Sequence, residues 1–123
     1  MADSLSIKPI IWMGSAKRDL RTFPEEVKDS MGFALFLAQQ GGKHADAKPL
    51  RGFGSAGVLE IVEDHRGDAY RAVYTVRLAG RIYVLHAFQK KSKRRIETPK
   101  AEINLIKSRL KRAEEEHAAW LER

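Results

Sequence analysis

Residues 86–100 gather six basic side chains, Lys90, Lys91, Lys93, Arg94, Arg95 and Lys100, around a single carboxylate, Glu97. Most of the chain's formal net charge of +7 sits in this segment. Charge so concentrated favours a polyanion, most simply nucleic acid. The plain alternative is a solvated face. Cations can also do chemistry on a phosphodiester. Attack by a ribose 2′-hydroxyl on the adjacent phosphorus needs a proton acceptor, positive charge on the phosphorane-like transition state, and an acid for the leaving 5′-oxygen. None of these requires a metal. Arg71, Lys90 and Lys91 are the candidates for phosphate and transition-state contacts, because a strand face and an adjoining strand end hold side chains more firmly than a free loop does. Two adjacent lysines repel each other, which lowers their pKa, so one of the pair could serve as base.

Each candidate has a structural alternative. Lys90 and Lys91 fit a solvated strand end, and Arg71 fits a cross-strand ion pair with Glu60. His86 is of a residue type suited to general acid or base work, yet it alternates with Val84 and Phe88, which favours a satisfied histidine inside the fold. Phe88 can stack on a base or fill the core. Lys48 and Arg51 can hold an RNA backbone from a long loop, or merely keep that loop soluble. With Lys93, Arg94 and Arg95 they make up the candidate RNA-binding set. His44, His65 and His117 are scattered without metal-ligand spacing. No glycine-rich phosphate loop, GxSxG elbow, HExxH or paired-carboxylate arrangement is present, so neither a metal nor a cofactor is expected.

The length of 123 residues fits one domain spanning 1–123. Cysteine is absent, so disulfide frameworks, thiolate zinc sites and cysteine nucleophiles are excluded, and a cytoplasmic protein is the expectation. No signal peptide or membrane span is expected either, since apolar runs such as Ile10-Ile11-Trp12-Met13 are far too short.

The elements that would position these residues follow from the apolar pattern. Residues 8–13 predict a first strand whose Pro9 suits a strand start or a sheet edge. Ser15 can cap a short helix through Leu20, and Pro24 suits the first position of a second helix reaching about Gln40. Val27, Met31, Ala34, Leu35 and Ala38 give that helix one apolar stripe. Residues 41–57 read as an irregular connection, long enough to suggest function. Then come strands at Val58–Asp64, Tyr70–Leu78 and Arg81–Gln89, an antiparallel meander. On the middle strand Tyr70, Ala72, Tyr74, Val76 and Leu78 share the face expected under the helices, which turns Arg71 toward solvent or a ligand. The last strand is apolar on both faces and suits the sheet interior. Thr98-Pro99 predicts the start of a helix over 98–121. Its seam runs through Ile103, Ile106, Leu110, Ala113, His117 and Trp120 and is expected to outrun the sheet, so that its far end either folds back or docks on a partner.

Several of these pieces carry a resemblance. Lys48-Pro49-Leu50-Arg51-Gly52, the Tyr70-Arg71-Ala72-Val73-Tyr74 strand, and above all Leu85-His86-Ala87-Phe88-Gln89-Lys90-Lys91-Ser92 followed by Thr98-Pro99-Lys100-Ala101-Glu102-Ile103 resemble the phage-derived, HigB-like branch of the RelE/ParE toxin superfamily. The resemblance covers about residues 8–113. It implies an α+β fold, a small antiparallel sheet backed by helices with a long C-terminal helix. It also implies a ribosome-dependent, metal-independent endoribonuclease that cuts messenger RNA and is held inactive by a helix-turn-helix antitoxin. Two other functions stay open: a ParE-like inhibitor of DNA gyrase, and a noncatalytic RNA- or DNA-binding module. Oligomeric state is left open.

Overall fold

The computed structural model describes residues 7–90 and 98–123, so Lys91, Lys93, Arg94 and Arg95 lie outside the described residues. The elements are β1 (Ile10–Trp12), α1 (Ala16–Arg21), α2 (Glu25–Gln39), β2 (Ala47–Pro49), β3 (Val58–His65), β4 (Asp68–Thr75), β5 (Ile82–Lys90) and α3 (Lys100–Leu121). The fold is α+β, as expected. Five strands form one sheet in the order β1-β5-β4-β3-β2, with β1 parallel to β5 and the other pairs antiparallel. Pro9 precedes β1 at the sheet edge, where its missing N–H costs no ladder bond. The doubly apolar β5 lies inside the sheet between β1 and β4.

Both faces are covered. On one, Leu20 of α1 and Val27, Met31, Leu35 and Ala38 of α2 pack on Ile61, Tyr70, Ala72, Tyr74, Ile82 and Val84. On the other, α3 lays Ile106 and Ala113 over Val73, Tyr83, Leu85 and Phe88. The amphipathic periods of α2 and α3 therefore meet opposite sides of alternating strands. Tyr74 is the cost of this burial. Its ring is fully enclosed, its hydroxyl has no hydrogen-bond partner, and burial pushes its pKa up to about 12.

Some sequence expectations shift in detail. The glycine-bearing stretch 41–57 is not wholly irregular. It contains β2, and its Leu50, Phe53 and Ala56 pack into the α3-side core. A three-residue strand among turn residues leaves too short an alternation to be legible. Pro24 and Pro99 stand at N-cap positions with extended ψ near 150°, one place before the helical position expected for them. Ser15 makes no capping bond; its hydroxyl donates to Asp19 Oδ2 at 2.7 Å instead. The β3–β4 turn has Arg66 at φ 49° and Gly67 at φ 92°, the doubly left-handed form that matches hairpin twist.

The far end of α3 does not outrun the sheet. His117 is buried, its Nδ1 lies 3.1 Å from the Tyr83 hydroxyl, and Trp120 sits beneath the Arg81 guanidinium at 4.1 Å. Arg81 donates to the same hydroxyl at 3.3 Å, so the Tyr83 oxygen joins Arg81 to His117. The seam is occupied by the chain itself.

Candidate functional site

Cross-strand register brings the scattered candidates together. Lys48, Glu60, Val73 and His86 oppose one another across β2, β3, β4 and β5. Two residues along each strand, Val62, Arg71 and Phe88 form the next row, and Ala69 opposes Lys90 in the one after. Opposed residues share a face, as do alternate residues along a strand. Lys48, Glu60, Arg71, His86, Phe88 and Lys90 therefore all belong to the side covered by α3, near the start of that helix.

A β-bulge makes this possible. Val73 opposes His86 but Tyr74 opposes Val84, which leaves Leu85 as the extra residue. Val84 consequently faces α1 and α2 while Leu85 and Phe88 face α3. The expectation that Val84, His86 and Phe88 share one face is thereby corrected. Strict alternation fails where one residue is inserted, and nothing in the apolar run marks the place.

Arg71 is not directed to solvent. It is 4% exposed, and its Nη1 donates to Glu60 Oε1 at 2.8 Å and to Thr98 Oγ1 at 3.0 Å. The reason is that α3 covers the face expected to be open, so the cross-strand pair with Glu60 is what forms. Thr98, expected to cap α3, spends its hydroxyl on Arg71. The guanidinium thus ties β3, β4 and the entrance of α3.

His86 is enclosed as well. Its Nε2 lies 2.7 Å from Glu102 Oε1, its Nδ1 3.3 Å from Arg109 Nη1, and its ring stacks on Phe88 at 4.8 Å. Because a guanidinium can only donate, Nδ1 must carry the lone pair and Nε2 the proton given to Glu102. This is a satisfied histidine that fastens α3 to β5. Arg109 extends the network, donating to the Leu85 carbonyl at 2.9 Å and to Ser15 Oγ at 3.1 Å. Burial lowers the Arg109 pKa, against the opposing influence of Asp19 and Glu102. Gly14, at φ 54°, lies so close that an added Cβ would come within 2.8 Å of that guanidinium.

Phe88 is likewise buried, within the α3-side core. Lys90 ends β5 with its side chain on the same face and little exposure, whereas Lys48 and Arg51 are exposed on and just after β2. Glu102 and Arg109 were not singled out from sequence. Glu102 carries a signal, standing in the first turn after Thr98-Pro99, but Arg109 looks like any helical arginine until β5 and α1 are brought beside it. Among the described residues no group of three or more His, Cys, Asp or Glu could hold a metal ion, and no helix is long and apolar enough to cross a membrane.

A family model described as phage derived protein Gp49-like matches residues 18–111. Among solved structures, the toxin-antitoxin complex RelBE2 from Mycobacterium tuberculosis is similar at 20% identity, over 72% of this chain and 97% of that chain, with a TM-score of 0.46. No curated protein matches.

Proposed function

The chain belongs to the Gp49-like family of phage-derived proteins, and from that premise we propose that it is the toxin of a toxin–antitoxin pair, an endoribonuclease that cuts messenger RNA on translating ribosomes. The observation that carries this reading is the convergence of Arg71 and Lys90 on one sheet face beside the entrance of α3. In sequence Lys90 leads directly into Lys91, Lys93, Arg94 and Arg95.

In this reading Arg71 and Lys90, joined by Lys91, place positive charge on the scissile phosphate as its negative charge grows in the transition state. Glu60 and Thr98 hold the Arg71 guanidinium in position, so little reorganisation is needed when the phosphate arrives. As the 2′-oxygen bonds to phosphorus, one lysine of the Lys90–Lys91 pair, deprotonated beforehand, takes the 2′-hydroxyl proton, and as the bond from phosphorus to the 5′-oxygen breaks, that oxygen takes a proton from water. His86, whose two ring nitrogens are both engaged, acts as a positioning residue that keeps α3 against the strand end. Lys48 and Arg51, exposed on the β2 side, contact the RNA backbone away from the cut. A helix-turn-helix antitoxin is the proposed partner, and no metal takes part.

A noncatalytic RNA-binding module is the second reading, favoured by the burial of Arg71 in its pair with Glu60. Single-turnover incubation of the purified protein with messenger RNA on translating ribosomes separates the two. Cleavage is expected only with translating ribosomes, and chelator should add nothing beyond its effect on the ribosomes. Intact message with wild-type protein would leave the binding module standing and overturn the nuclease.

A further inference from the structure

Charge along the outward face of α3 is sorted by sign. Lys100, Asn104, Lys107 and Lys111 recur at steps of four, three and four, forming one exposed stripe that runs about 16 Å at 1.5 Å per residue. Over these three turns the one carboxylate is Glu102, which is engaged with His86. Beyond Ala113 the helix carries Glu114, Glu115 and Glu116, with Glu122 at its C-cap.

This order works against the helix itself. The macrodipole favours anions at the N-terminus and cations at the C-terminus, and the sorting here is reversed. Where opposite charges stand four apart, as in Lys111–Glu115 and Arg112–Glu116, the cation comes first, the weaker of the two arrangements. Lys100, Lys107 and Lys111 form no ion pair with the carboxylates of the described residues. Helix stability therefore does not account for the stripe, and neither does a partner among the described residues.

We propose that the outward face of the first three turns of α3 docks on the phosphate backbone of double-helical RNA. Three lysines on a straight rod match a rigid, regularly charged backbone. The stripe carries no aromatic side chain, whereas surfaces for single strands usually pair cations with aromatic rings on which bases stack. It begins two residues after Thr98, the hydrogen-bond partner of Arg71. A duplex held there lies beside the candidate site without occupying it. The inference rests on charge placement in α3 and does not require that the protein cut RNA, although a ribosomal target would supply such duplexes.

The test is fluorescence anisotropy of the full chain with a labelled blunt RNA duplex longer than α3, across a salt series. For Lys107→Glu/Lys111→Glu, the log–log salt slope should flatten by about 2, close to one unit per lost contact. Lys107→Gln/Lys111→Gln should flatten it to a similar extent with an unchanged melting temperature, which separates lost contacts from lost structure. Lys28→Glu/Lys43→Glu makes the same change in net charge on the α2 side, and its slope should stay at the wild-type value. The proposal is overturned if the α3 variants bind as wild type does, if the α2-side variant loses as much as they do, or if the α3 variants lose as much of their salt slope with a single strand of equal length as with the duplex. An inactive wild type in the cleavage assay would remove the nuclease reading and leave this result unaffected.

Discussion

Arg71 is one half of a buried ion pair and, in the proposed function, also a phosphate contact, and a single substitution would confuse the two. Removing it strands the Glu60 carboxylate, 7% exposed, without its guanidinium. Breaking a buried pair from one side typically costs about 3–5 kcal/mol, so Arg71→Ala should lower the melting temperature markedly and lose activity for two reasons at once. Glu60→Leu/Arg71→Met removes both charges and should recover most of that stability while cleavage stays at least about a hundredfold down, the scale expected for one lost transition-state donor. Denaturation and single-turnover rates on the same samples check this; recovered activity in the double variant would take Arg71 out of the chemistry. Tyr74 gives a second prediction. With its pKa near 12 in the fold and about 10 when unfolded, the unfolded state loses the proton first, so stability falls as pH rises from about 10 to 12. Tyr74→Phe should remove roughly 1–1.5 kcal/mol of that alkaline loss, by comparison of denaturant midpoints at neutral pH and pH 11, and should cost little at neutral pH because the hydroxyl has no partner. At this scale the sequence was only half legible. Residue types named Arg71, His86 and Phe88, and the alternative of a Glu60 partner was visible, but burial depends on what crosses the far face of the sheet.

Elements were read more faithfully than their contacts. The apolar stripes of α2 and α3 emerged from period alone, because a helix that must cover a sheet shows it in every turn. Two features stayed hidden for the opposite reason. β2 is three residues long among glycines, and the bulge at Leu85 is a single insertion within a run that is apolar on both sides. The reach of α3 is also hidden in the sequence, since the aromatic anchor provided by Tyr83, His117 and Trp120 comes from residues far apart along the chain. A truncation tests that anchor. Ending the chain after Arg112 removes Ala113, His117 and Trp120 and uncovers Tyr83, which is fully buried. Losing that much aromatic and aliphatic cover should cost about 3 kcal/mol or more. A lowered melting temperature or the loss of a cooperative transition is expected. A truncated chain as stable as the full one would show that the end of α3 is dispensable to the fold.

In the whole molecule, fold and charge are separable. The core lies between two helical layers and the sheet, and it was legible because strands and helices alternate in a pattern with few arrangements. The excess positive charge is concentrated instead in sequence, in residues 86–100, and is followed by the exposed lysines of the first three turns of α3. Core and charge can then be altered independently. Lys93→Glu/Arg94→Glu reverses two charges in the basic segment. If about three side chains there contact phosphates, single-stranded RNA should show a wild-type log–log salt slope near −2, at roughly −0.7 per contact. The double variant should bring the slope close to −0.7 by the same estimate. Long-range attraction by the remaining net charge would persist, but it is screened within about 8 Å at physiological salt and cannot replace direct contacts. Binding titrations over salt on folded wild-type and variant protein provide the measurement. A slope unchanged by the double reversal would move single-strand binding off the basic segment and onto Lys48, Arg51 and the exposed face beside β2.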